Sequence, residues 1–243
     1  MYQKLLSLAF AGLTSVSAAN AAQINVDELA NKVEPDVIKW RHHFHEFPEL
    51  SNREFKTAEY VADYLESLGL EVQTGVAKTG VVAILDSGKP GPVVALRADM
   101  DGLPVKEQND LSYRSKQMGE YNGKEVPVMH ACGHDTHMAM LMGAAKILTE
   151  IKGDLKGKVK FIFQPAEEGA PAGEKGGAEV MVAEGVLKNP DVDAIFGLHI
   201  NANTDVGKVR YNAGGTMAAV DPFKIVIHGK QAHGAYPWKS VDP

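Results

Sequence analysis

Cys132, the only cysteine, and His134, one of nine histidines, stand two residues apart in Met129-His130-Ala131-Cys132-Gly133-His134-Asp135-Thr136-His137. Thiolate sulfur and imidazole nitrogen are donors that suit zinc and its first-row neighbours. Positions i and i+2 do not share a helix face, but a tight turn through glycine can bring them together. The spacing therefore presents Cys132 and His134 as two ligands delivered by one loop, with Gly133 as the bend. Glu167-Glu168 adds adjacent carboxylates shortly after Pro165. Neighbouring side chains on extended backbone point different ways, so one can hold a metal while the other faces the metal's water. A divalent ion draws the pKa of such a water towards ~7, where a nearby carboxylate can take its proton.

Each of these residue types also has an ordinary structural use. A Glu-Glu pair is commonly a solvated acidic turn. His199, following the apolar Ala194-Ile195-Phe196-Gly197-Leu198, reads either as a ligand or as a satisfied core histidine. Asp99 and Asp101 are open to metal ligation, to orienting a histidine from behind, or to capping a turn; the second role suits Asp101. His137, one turn into a helix beginning at Asp135, is left outside the ligand set as a half-buried helix residue.

The elements that must position these groups follow from the hydrophobic period. From Val26 to Leu70 the pattern is helical: Val37, Trp40, Arg41, Phe44 and Phe47 keep helical spacing until Pro48, and a second helix runs from Asn52 or Arg53 through Leu68 to Gly69. Val81–Leu85, Pro92–Leu96, Lys158–Phe163 and Ala194–Leu198 are strand-like, whereas Met138, Leu141, Met142, Ala145 and Leu148 form a helix stripe and Ala178–Glu184 is helical. Strands alternating with helices predict an α/β layer architecture. Asp101, Glu167, Glu168 and His199 each fall just past the carboxyl end of a predicted strand, where open α/β sheets gather their ligands. Phe223–Gly229 alternates like a further strand, and Ser240-Val241-Asp242-Pro243 reads as the start of a helix.

The bulk properties narrow the class. Thirty-one acidic residues against 25 basic give no support to nucleic-acid or anionic-membrane binding. Residues 1–21 read as a signal peptide, with a cationic start, an apolar stretch and an Ala19-Asn20-Ala21 cleavage site, so an exported protein, periplasmic or secreted by a bacterium, is expected. A single cysteine in an exported protein cannot close an internal disulfide and suits an intermolecular bond, a reactive thiol or a metal-bound thiolate.

Arg97-Ala98-Asp99-Met100-Asp101-Gly102-Leu103-Pro104, the Met129–His137 loop, Phe163–Gly169 and Gly197-Leu198-His199 together resemble the motif series of the M20 metallopeptidase family, in its amidohydrolase branch of hippurate, N-acyl-amino-acid and auxin-conjugate hydrolases. The resemblance runs in order through nearly all of the chain after residue 21. It implies a mixed-sheet α/β metallopeptidase domain with helices on both faces over 22–215, and the beginning of a smaller α+β lid or dimerisation domain over 216–243. It implies two divalent ions, zinc or manganese with cobalt or nickel possible, bridged by the Cys132 thiolate and held by His134, Glu168 and His199. Glu167 becomes the general base for a metal-activated water that hydrolyses the amide bond of an N-acyl-amino acid. His233 becomes the histidine that polarises the substrate carbonyl or binds its carboxylate, with a turn histidine as the alternative. A homodimer is the implied assembly.

Compared with the family pattern, the chain is expected to stop before a further ligand histidine and before most of the lid, as a C-terminally truncated member would. The alternatives are a dipeptidase or carboxypeptidase of the same metal family, an enzyme using Cys132 as nucleophile, and an inactive binding protein.

Overall fold

The computed structural model describes residues 24–218 and 223–242; the expected signal segment and its cleavage site lie outside the described residues. The chain divides into two compact units, Met1–Ile200 and Asn201–Pro243.

The first unit opens with helix α1, Val26–Glu46. The Asn25 side chain caps it by accepting the Glu28 N–H at 3.2 Å, and Asp27 and Glu28 place negative charge at its positive end. Helix α2, Phe55–Ser67, buries Ala58, Val61, Ala62 and Leu65, positions that share one helix face. The chain then reverses at Gly69, whose φ of 75° glycine adopts without penalty. Strands β1 (Glu71–Val76), β2 (Gly80–Asp86) and β3 (Val93–Asp99) follow, then a separate hairpin of β4 (Met118–Tyr121) and β5 (Lys124–Pro127). Helix α3 (His134–Glu150), β6 (Lys158–Gln164), α4 (Gly177–Ala183) and β7 (Ala194–Gly197) complete the unit.

The five-stranded sheet has the order β1-β2-β6-β3-β7 and is mixed. β2 runs antiparallel to β1 and β6, whereas β3 runs parallel to both β6 and β7. The period of 2 divides its side chains between two cores. Val81, Ala83, Leu85, Phe161 and Phe163 pack with α1, α2 and α3 on one face. Val82, Ala95 and Ile162 pack with Met181 of α4 on the other. Helices therefore cover both faces, as expected. The larger core carries more of the stability, since a fully buried Phe or Leu contributes ~1.5–3 kcal/mol.

The shared direction of β3, β6 and β7 is what matters for chemistry. Their carboxyl ends fall on one edge, so the segments carrying Asp101, Glu167-Glu168 and His199 leave the sheet side by side. Lys160 steadies the far face: it is buried, and its ammonium donates to the carbonyls of Val186, Lys188 and Pro190 at 2.9, 2.8 and 3.2 Å. All three of its donors are thus matched to the chain that leads from α4 to β7.

The sequence had assigned no element to β1 or to the β4–β5 hairpin, which carry short, largely exposed strands with little alternation. In the second unit the expected strand over Phe223–Gly229 does not form: those residues are irregular, with no ladder partner among the described residues, and an unpaired extended segment has nothing to satisfy its N–H and C=O groups. A helix beginning near Ser240 is likewise absent among the described residues; a short 3₁₀ turn at Pro237–Lys239 stands just before it, beside an isolated bridge between Lys230 and Val241. No helix among the described residues is long and apolar enough to cross a membrane.

Candidate metal centre

Gly133 turns the Cys132 loop into α3 with a φ of 90°, and a Cβ at this position would overlap the Ile200 side chain. The bend sets Cys132 before the helix and His134 at its first residue. His134 is fully buried, and neither of its ring nitrogens has a hydrogen-bond partner. Its Nδ1 lies 3.4 Å from Asp101 Oδ1 without hydrogen-bond alignment. Its Nε2 lies 3.7 Å from Asp99 Oδ2, from Glu167 Oε2 and from Glu168 Oε1.

A buried nitrogen ringed by carboxylate oxygens, none close enough to bond, is a poor arrangement for these groups alone. It is a good one for donors that share a cation, because ligand atoms around a tetrahedral ion with bonds of ~2.1 Å stand roughly 3.4 Å apart. Two donor groups meet at His134: Cys132 with His199, and Glu167 with Glu168, with ligand atoms in each group within 4.8 Å of one another.

His199 is exposed rather than a core histidine. Its Nδ1–H donates to the Ile200 carbonyl at 2.6 Å, which leaves Nε2 with a free lone pair, 3.5 Å from Cys132 Sγ. Burial pushes the Cys132 thiol up to about 12, and the Glu168, Glu167 and Asp99 carboxylates add to the effect. So negative a pocket opposes a thiolate until a cation balances it. Burial also raises the Glu167 carboxyl, with Asp99 reinforcing it, against the opposing His134 and Arg97.

A third group, Asp99, His134 and His137, also has metal-ligand spacing, but hydrogen bonds occupy two of its members. His137 Nδ1 donates to Asp99 Oδ1 at 2.7 Å, while its Nε2 accepts the Ile200 N–H at 2.9 Å. That pairing assigns His137 the neutral tautomer and leaves it no lone pair for a metal. Arg97 donates to the other Asp99 oxygen at 2.6 Å. Burial opposes ionisation of Asp99, yet the His137 bond and the Arg97 and His134 charges outweigh it and hold the carboxyl well below its usual range. His137, expected to be half-buried on its helix, is buried, and it ties α3 to the chain beyond β7.

Asp101 is spoken for by the loop after β6. Its Oδ1 accepts the Glu167 N–H and its Oδ2 the Glu168 N–H, each at 3.0 Å, and Ser51 Oγ donates to Oδ2 at 2.7 Å. Behind this stands Glu54, fully buried, whose carboxylate accepts the Ala166 N–H at 2.8 Å and the Thr79 hydroxyl at 2.6 Å. Burial raises the Glu54 carboxyl to about 7, above the ordinary 4.5. The folded protein therefore holds this proton more tightly than the unfolded chain. In metal-free protein, stability is expected to fall as pH rises from 4.5 to about 7, by roughly 3 kcal/mol at ~1.4 kcal/mol per pH unit. Glu54→Gln should flatten that part of the profile in urea unfolding; an unchanged slope would refute the assignment.

In the second unit His233 is exposed in a turn, its Nδ1 accepting the Ala235 N–H at 3.1 Å and its carbonyl accepting the Tyr236 N–H at 2.8 Å.

Residues 95–243 match the sequence profile of peptidase family M20/M25/M40. Thermostable carboxypeptidase 1 of Saccharolobus solfataricus is 45% identical over 222 residues, covering 90% of this chain and 53% of that protein. The N-acyl-L-amino acid amidohydrolase of Geobacillus stearothermophilus is 45% identical over 217 residues, covering 89% of this chain and 55% of that one. A crystal structure from Bacillus subtilis, described as a dinuclear metal binding peptidase from the M20 family, superposes with a TM-score of 0.62 at 40% identity over 71% of this chain and 44% of its own. The chain spans about half the length of the curated relatives it matches.

Proposed function

This chain belongs to peptidase family M20/M25/M40, and from that premise we propose that the protein hydrolyses the amide bond of N-acyl-amino acids at a dinuclear metal centre. The observation that carries the reading is His134, a buried imidazole without a hydrogen-bond partner where two groups of metal-ligating side chains meet.

In this reading Cys132, His134, Glu168 and His199 hold two divalent ions, zinc or manganese, with cobalt and nickel compatible with the same donors. When bound, the ions supply Lewis acidity at the substrate carbonyl and acidify the attacking water. Glu167 takes the proton of that water on a carboxylate oxygen and returns it to the departing amine nitrogen. Burial and the Asp99 charge raise its carboxyl, the direction that favours its holding the proton between the two halves of that task. Asp101 stands 3.4 Å from His134 Nδ1 and fixes the two glutamates through their backbone. His233 polarises the scissile carbonyl or receives the substrate carboxylate. Export guided by residues 1–21, and a homodimer, belong to the same proposal.

The carboxypeptidase among the relatives supports a second reading, in which peptides are the substrate. The test is hydrolysis of N-acetyl- and N-benzoyl-amino acids beside dipeptides, with elemental analysis of the purified protein. Amine release from the acylated substrates, lost on chelation and restored by zinc or manganese, is the expected result. Preferential cleavage of dipeptides would favour the second reading. Hydrolysis insensitive to chelators but stopped by thiol alkylation would overturn both.

A further inference from the structure

The loop that carries Glu167 and Glu168 is held in an unusual way. Ala166, Glu167 and Glu168 offer consecutive backbone N–H groups, and a buried carboxylate captures each: Glu54 takes the first, Asp101 the other two. Ala166 has a φ of 48°, a left-handed conformation that an alanine keeps only when its surroundings enforce it. Glu54 arrives from the segment joining α1 to α2, and its neighbours dock on the same region. Ser51 bonds Asp101, Asn52 donates to the Lys175 carbonyl at 3.0 Å, and Arg53 pairs with Glu174 through 3.0 and 2.5 Å contacts. The packing is close enough that a Cβ on Gly176 would stand 2.6 Å from Asn52 Oδ1.

We propose that Glu54 is a positioning residue for Glu167, fixing the direction in which the base leaves the backbone by holding the Ala166 N–H in its left-handed turn. This rests on the reading of Glu167 as the base. Glu54 touches neither substrate nor metal ligand side chain; it acts through one peptide group. Asp101 keeps both the Glu167 and the Glu168 N–H groups when Glu54 is changed, so the change falls on the Ala166 turn that leads into the base, and the ligands are kept.

Three substitutions in the metal-loaded protein test this. Glu54→Leu removes both acceptors, and Glu54→Asp withdraws the carboxylate by one methylene. Glu54→Gln keeps an acceptor for Ala166 and turns its amide to the Thr79 hydroxyl. Because a misplacement of about 1 Å can cost ~10²-fold in rate, kcat should fall by roughly 10–100-fold in the leucine variant and about tenfold in the aspartate variant. KM and bound metal should be unchanged, and glutamine should restore kcat to within about threefold of wild type. The Ala166 amide should exchange at least ~10-fold faster in metal-free Glu54→Leu than in Glu54→Gln.

Thr79→Val, which strips Glu54 of its other partner but leaves Ala166 held, separates positioning from general stability. It should lower the melting temperature with kcat preserved. Equal loss of kcat in Thr79→Val and Glu54→Leu would overturn the proposal, as would wild-type kcat in the leucine variant or loss of metal from it. If the leucine variant does not fold, wild-type kcat in Glu54→Asp overturns it. Full activity in Glu167→Gln would instead bring down the underlying assignment of the base. A dead Glu167→Gln beside a normal Glu54→Leu would remove the positioning role alone.

Discussion

Glutamine at position 167 is expected to lower kcat by roughly 10²–10⁴-fold while the protein keeps its metal, the range that loss of a general acid–base group usually costs. Gln has the shape of Glu but cannot take a proton, so the substitution removes the base without opening the site. The backbone of the residue would stay in place, because its N–H is held by Asp101 at 3.0 Å and not by its own side chain. Steady-state kinetics on an N-acyl-amino acid, paired with elemental analysis, reads both quantities. Loss of metal together with activity would show that Glu167 is a ligand; retained turnover would show that another group takes the proton.

The second large effect is expected at His134. Alanine there should empty the centre of both ions, with affinity falling by more than the ~10–100-fold that loss of an orienting partner alone costs. Every other proposed donor belongs to one group, whereas His134 belongs to both, Cys132 with His199 and Glu167 with Glu168. The substitution should also destabilise the metal-free protein, because it removes a cation that helps hold the buried Asp99 and Asp101 carboxylates ionised. A lowered melting temperature without metal, and no stabilisation on adding zinc, is the expected pattern. Undiminished metal content would mean that His134 is not a ligand.

The first unit was legible in the sequence wherever one residue pattern decided one element. Val81–Leu85 and Lys158–Phe163 became β2 and β6, and the stripe from Met138 to Leu148 became α3, because continuous apolar runs and helical spacing both report burial directly. The proposed donors were legible for a related reason, since Cys132 and His134 sit in one loop and the others follow strand ends that parallel pairing brings to one edge. What the sequence could not display was the machinery behind them. Ser51 and Asp101 are 50 residues apart, Glu54 and Ala166 are 112 apart, and no local spacing links them. Asp99 and His137 were both in view, yet only the bonds His137 makes to Asp99 and to the Ile200 N–H separate a satisfied pair from a metal-binding one. In the second unit the alternation of Phe223–Gly229 misled, because period 2 reports a preference for extended backbone and cannot supply the neighbour that makes it a strand.

The run from Ser51 to Glu54 has a consequence for anyone who would rebuild this centre elsewhere. Each of its four residues bonds the β6 exit loop or Asp101, the residue that grips it. A graft of the Cys132 loop and the Glu167-Glu168 turn into another scaffold would carry the donors but leave their fastenings behind. The smallest portable form of the site is therefore discontinuous, and it includes a tetrapeptide that binds no metal.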